Sequence, residues 1–403
     1  MVKGALMRRA ALVLAASVGG AVVMSFSLAM TAADNSPQVA AVLAPYLSEP
    51  KGELAQALLP AAMQGGDAKA VRALGREAAL LDPLDPSPVR TLGYVERAQG
   101  NDAKASALFA YANTLTRRDL AVNLDFIMEA AKRGDAEAMI RHFSIALRTS
   151  RRSWDRLFPV IYQATVSEQV TAQLAAVLAT QPQWKWAFLD GLVRQGPDSL
   201  MTARLFRELE ALAPLENEEI ERTLIARLLQ DGHYAEAQAR HKMLLSKKGN
   251  GSLSNGDFER EPLGTPFEWE RLAGAALETS VSDNVVSNDL GRSLYFRVPA
   301  GADGELLRAT AVLRPGRQEL VARLGEPLQG QVGDLIFEAE CLGSGAVIER
   351  AVLSRPAAGR LRIPFTVTGD CPAARLYLKA RAPGPDAAWA SWIDELELTG
   401  SAV

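Results

Sequence analysis

The chain has 403 residues, of which 48% are hydrophobic and 23% charged, the balance of a folded globular protein and not of a disordered one. That length exceeds what one core fills and predicts about two or three domains. A net charge of −3 excludes an overall basic field for nucleic acid, and three histidines with two cysteines leave little material for metal or nucleophile chemistry.

At the N-terminus Lys3, Arg8 and Arg9 precede an uncharged run over residues 10–33. A helix rising 1.5 Å per residue needs about 20 apolar residues to cross a bilayer, whereas a cleavable signal peptide carries an apolar stretch of about 7–15. The length predicts a transmembrane signal anchor over 10–33, with residues 1–9 as a basic cytoplasmic start. The alternative is cleavage after Thr31-Ala32-Ala33 and release of the rest. Positive residues stay on the cytoplasmic side, so everything that follows is expected across the membrane.

From 47 to 250 the apolar residues recur at three and four, the period of amphipathic helices. A longer period is laid over it. Gly66, Gly100 and Gly134 are 34 residues apart, and so are Leu58, Leu92 and Phe126, then Ala78, Ala112 and Ala146. A helix, a glycine turn and a second helix repeating every 34 residues is the signature of tetratricopeptide repeats. The stretch resembles such an array, and residues 87–119 match it best. Leu92-Gly93 fills the small-residue pair of the first helix, Ala105 and Phe109 fill A-x3-F, Ala112 follows one turn later, and Pro83 ends the preceding copy. Val89 and Glu96 depart from the motif's tryptophan and tyrosine. The pattern weakens after Ser153 and returns at Gly196 and Gly232, where Tyr234 and Ala237 again fit. An irregular helical bundle is the competing reading, chiefly over 154–217.

The resemblance implies an α-solenoid whose first helices line a concave face. Arg90, Tyr94 and Arg97 are expected to project there and to dock a protein partner; ordinary solvated surface is the alternative. His142 and His233 read as packing or surface residues.

The stretch "NGDFEREPLGTPFEWE", which starts at Asn255, ends the helical pattern. Short alternating runs follow, broken by Gly and Pro: "SLYFRV" (293–298), "QELVARL" (318–324), "DLIFEAEC" (334–341), "AVIERAVL" (346–353), "RLRIPFTV" (360–367), "ARLYLKA" (374–380) and "ASWIDELEL" (390–398). Seven or so strands at this spacing predict an antiparallel β-sandwich of jelly-roll type over 251–403. Cys341 and Cys371 both fall in it. In an oxidising compartment an even pair predicts one disulfide, with two buried thiols as the alternative.

"NGDFE", Phe267-x-Trp269 and the closing "WIDELEL" resemble the galactose-binding-like jelly roll of many carbohydrate-binding modules. In that family the opening glutamate and closing aspartate help hold a structural calcium ion, which implies Glu259 and Asp394 here. Carboxylates exposed at strand ends are the alternative. Sugar binding needs open aromatic faces, and Trp269, Tyr295, Trp389 and Trp392 are the glycan-stacking candidates. Trp389 and Trp392 are three apart on one strand, so they are expected on opposite faces. Burial of these rings in the core is the competing reading.

The order of anchor, helical repeats and jelly roll resembles periplasmic proteins of bacterial exopolysaccharide systems. It implies a single-pass protein of the inner membrane with its bulk in the periplasm. The expected function is a non-catalytic scaffold in exopolysaccharide assembly or export. A protein partner would dock on the repeats and a polysaccharide or second partner on the sandwich, with no nucleic acid and no cofactor beyond calcium. A glycan-modifying enzyme is one alternative. It needs two facing carboxylates about 5–10 Å apart, which no pattern marks, while GxSxG is absent and the sandwich has no histidine for Ser-His-Asp chemistry. A purely structural spacer is the other.

Overall fold

A computed structural model of the chain describes residues 17, 19–32, 35–248, 254–272, 276–287 and 291–400. Residues 1–9 and part of the expected anchor lie outside these. Residues 19–32 are helical, and among the described residues no helix is long and apolar enough to cross a membrane. The chain divides into two compact units. One runs to Ile161 and includes Ala172–Trp184; the other comprises Tyr162–Thr171 and Lys185–Val403. Residue 250 therefore marks a change of secondary structure, while the last four helices belong to the unit that holds the sheets.

In the first unit helices Ser48–Met63 and Ala68–Leu81, Pro86–Ala98 and Asp102–Leu115, and Leu120–Lys132 and Ala136–Thr149 form three successive hairpins. Their caps carry the 34-residue period. Asp67, Asn101 and Asp135 are the N-caps of the second helices. Asp85 and Asp119 cap two of the first helices, accepting from Ser87 N (2.9 Å) and Val122 N (3.1 Å). Each inner turn needs one left-handed residue, supplied by Gly65, Gly100 and Gly134. In the first hairpin this is Gly65, one position before the Gly66 that the sequence spacing singles out. Leu92-Gly93 has a packing cause: a Cβ on Gly93 would stand 3.0 Å from the ring of Phe109, which is fully buried.

The second unit contains helices Lys185–Gln195, Ser199–Leu212, Glu218–Gln230 and Tyr234–Lys248, followed by eleven strands among the described residues. In chain order these are β1 (Glu270–Arg271), β2 (Glu278–Asp283), β3 (Arg292–Val298), β4 (Asp303–Val312), β5 (Gly316–Leu324), β6 (Gln329–Gly330), β7 (Asp334–Cys341), β8 (Val347–Ser354), β9 (Gly359–Val367), β10 (Ala373–Arg381) and β11 (Trp389–Gly400). They make two antiparallel sheets, ordered β1-β4-β10-β7-β8 and β2-β3-β11-β5-β9, with β6 beside β11. Leu294, Phe296, Leu307, Phe337, Phe365 and Trp389 help fill the space between them. Cys341 at the end of β7 is bonded to Cys371 just before β10, with their Cα atoms 5.7 Å apart.

All seven sequence-predicted strands are present. β4 was not expected, because its adjacent Leu306 and Leu307 are both buried and so break the period-two pattern, opposite a bulge at Leu378/Lys379. The turn-rich opening stretch joins helices to sheets within this unit. Leu263 O accepts from Arg222 Nη1 (3.1 Å), Thr265 Oγ1 pairs with His241 Nδ1 (2.9 Å), and the Phe267 ring lies 5.3 Å from that imidazole. Trp269 then enters the sandwich core.

Candidate functional site

Alternation along β10 puts Ala374, Leu376, Leu378 and Ala380 into the core and turns Arg375, Tyr377, Lys379 and Arg381 outward. Cross-strand pairing sets Arg308 of β4 and Glu338 of β7 on either side of Tyr377, and Thr310 and Glu340 on either side of Arg375. The outer face of this sheet is thus a polar lattice. Lys379 Nζ donates to Glu338 (3.0 Å) and lies 4.9 Å from the Tyr377 ring centroid, while Tyr377 Oη donates to Glu340 (3.5 Å).

Where this face meets the opening stretch, a groove of about 810 Å³ forms. Its walls include Arg260, Glu268, Glu270 and Arg271 from the opening stretch and β1, with Arg292 of β3, Arg308 of β4 and Arg375 of β10. Three ion pairs lie along it: Arg260–Glu268, Arg292–Glu261 (3.2 Å) and Arg308–Glu270 (2.9 Å). Such a volume suits a few sugar rings, and planar guanidinium and carboxylate groups suit paired hydroxyls.

The tryptophans named from the sequence do not offer ring faces. Trp269, Trp389 and Trp392 are only 4%, 1% and 4% exposed. Trp389 packs edge-on against Phe296 (5.0 Å) in the core. Trp392 lies outside that core cluster, as the alternation requires, but Gly325 closes over its indole so tightly that no Cβ would fit. Tyr295 is half-buried, with its hydroxyl 3.5 Å from Asp283 O. Sequence reading weighed tryptophans and missed the groove arginines. For Arg375 the outward register of "ARLYLKA" was a signal.

Glu259 and Asp394 are brought near each other. Glu259 Oε1 accepts the Arg292 amide (2.8 Å), and Asp394 accepts from Ser293 Oγ (2.6 Å) and the Glu395 amide (2.7 Å). Burial pushes the Asp394 carboxyl up to about 6; these two hydrogen bonds oppose the rise, while the Glu395 and Glu259 charges add to it. Asp394 is 2% exposed, so the alternative of solvent-exposed strand-end carboxylates does not hold for it. Leu396 N donates to Gly256 O (2.9 Å), which brings the opening turn beside the middle of β11, at its register shift. The flanking acceptors Asn255 Oδ1 and Asp257 Oδ1 are buried without a hydrogen-bond partner. Carboxylates and an amide oxygen such as that of Asn255 are the donor types a calcium ion uses. Among the described residues, no three His, Cys, Asp or Glu side chains gather as a metal cluster.

Arg90, Tyr94 and Arg97 do share one face of helix Pro86–Ala98, and each is engaged there. Arg90 pairs with Asp119 and donates to Gln56 (2.9 Å), and Arg97 grips both oxygens of buried Asp125 at 2.8 Å. Tyr94 Oη donates to Ala121 O (3.0 Å), and burial, with help from Asp125, lifts its pKa. Beside them is a groove of about 480 Å³ lined by Leu59, Arg90, Tyr94, Leu120 and Leu124. These residues come from the first helices of the three hairpins.

No family model matches the chain, and no curated protein matches it. Among solved structures the C-terminal β part is similar to carbohydrate-binding jelly-roll modules. One, described as "CBM4 structure and function", shares 12% identity, covers 31% of this chain and 91% of its own, and has a TM-score of 0.23. A CBM22-1 xylan-binding domain from Paenibacillus barcinonensis Xyn10C shares 16%, covers 32% of this chain and 83% of its own, and has a TM-score of 0.24. TmCBM61 in complex with beta-1,4-galactotriose shares 12%, covers 38% of this chain and 100% of its own, and has a TM-score of 0.27.

Proposed function

We propose that this chain is a non-catalytic binding protein whose β-sandwich holds a glycan in the groove between β1, β4, β10 and the opening stretch. The observation that carries the reading is that groove. It has oligosaccharide size, and its walls set ion-paired guanidinium and carboxylate groups beside apolar residues such as Phe258, Pro266, Leu277 and Val281. Glu261, Glu268 and Glu270 are each paired with an arginine there.

The helical hairpins form a tetratricopeptide-like solenoid in this reading, and the groove beside Tyr94 takes a protein partner. Residues 10–33 tether the protein to the bacterial inner membrane, with the bulk periplasmic, or are cleaved to release it there. The setting is assembly or export of an exopolysaccharide. Glu259 and Asp394 hold a structural calcium ion that ties the opening turn to β11, completed by neutral oxygens. Support for it comes from the paired carboxylates and the unpartnered Asn255 amide oxygen.

The test is binding of the full chain to an array of bacterial and plant glycans. Retention on at least one glycan is expected. A chain blind to every glycan would overturn the reading and leave the sandwich as a protein-docking device.

A further inference from the structure

The groove is not charge-balanced. Its lining carboxylates are all answered within it, Glu261 by Arg292, Glu268 by Arg260 and Glu270 by Arg308. Arg271 and Arg375 also line it and have no anionic partner among the described residues. Arg375 stands opposite Glu340 in register, but that carboxylate accepts the Tyr377 hydroxyl and makes no ion pair with the guanidinium. In a chain of net charge −3, two unanswered guanidiniums in one cleft are a local positive field. Arg375 is half-buried and Arg271 exposed, and each gains from a ligand that presents a planar, charged group, because a carboxylate accepts two parallel N–H bonds at once.

We infer that the groove takes an anionic glycan, a uronate-bearing oligosaccharide whose carboxylates pair with Arg271 and Arg375. The inference rests on the glycan-binding reading above and adds the chemical class of the sugar. Neutral hydroxyls would meet the three internal ion pairs, and acidic residues the two free cations. The charge also sets the conditions: binding weakens as salt screens the cleft.

The probes are oligogalacturonate and oligoalginate, each beside its methyl ester, which keeps the sugar and removes the charge. Full-length protein is titrated by calorimetry at about 0.05 and 0.5 M NaCl, with a panel of neutral glycans in parallel. Expected is binding of at least one uronate, about tenfold weaker for its methyl ester and several-fold weaker at high salt. Arg375→Gln and Arg271→Gln should each cost about tenfold, with unchanged Tm, while Arg375→Lys retains part of the affinity. Arg381→Gln, on the same strand but tied to Asp334 outside the groove, should change nothing. Equal affinity for acid and ester, or neutral glycans bound and uronates refused, would overturn the charge inference and leave the glycan reading standing. Refusal of every glycan would overturn both.

Discussion

His241 Nδ1 and Thr265 Oγ1 share a 2.9 Å hydrogen bond, and both residues are buried. This bond fastens the opening stretch of the sandwich to helix Tyr234–Lys248. Thr265→Val keeps the volume and removes this hydrogen bond between two buried side chains. The expected loss is about 1–3 kcal/mol in urea unfolding. An unchanged midpoint would mean that this seam contributes nothing to stability.

Two helical glycines in the first unit should respond to alanine with opposite sign. At Gly93 the new methyl would stand 3.0 Å from the Phe109 ring, whereas at Gly52 the nearest atom is Pro88 Cγ at an ordinary 3.6 Å. Gly93→Ala should lose about 1–3 kcal/mol through overpacking, and Gly52→Ala should gain about 0.5–1 kcal/mol from helix propensity. Thermal unfolding of the two variants side by side decides it.

His142 stacks on Phe126 with centroids 4.7 Å apart, and its Nδ1 contacts Asn123 Oδ1 at 2.9 Å. Burial first, then the Arg141 charge, holds its pKa below the usual 6.5. Below that value the unfolded chain takes up a proton that the folded chain refuses. Its contribution is therefore complete above about 6.5 and declines as pH falls toward the depressed folded value. Between pH 7.5 and 5.5 the wild type should lose more stability than His142→Gln. Parallel curves for the two proteins would exclude the effect.

Calcium should raise the melting temperature of the full chain, and a chelator should reverse it. Asp394→Asn should abolish the shift, because a buried neutral amide supplies one oxygen where a carboxylate supplies two and a charge. A calcium-independent Tm in the wild type would remove the ion from the account.

Much of the fold was legible because its signals are local. The 34-residue period surfaces as N-caps at Asp67, Asn101 and Asp135, and period-two runs mark strands such as β9 and β10. β2, with sequence ETSVSD, is mostly exposed and carries no apolar alternation to read. The site was less legible, because its parts meet only through long-range pairing. Arg271 and Arg375 lie more than a hundred positions apart and share a groove only because β1 and β10 both flank β4. Alternation did put Trp389 and Trp392 on opposite faces, yet the loop that covers Trp392 through Gly325 comes from a different part of the chain.

Amide hydrogen exchange of the full chain, with and without a glycan it retains, tests the central claim most directly. The account predicts slowed exchange in β1, the Arg308–Thr310 part of β4 and the Arg375–Lys379 part of β10, with the helical hairpins unaltered. Protection confined to the hairpins, or to the β5–β9 side of the other sheet, would contradict it.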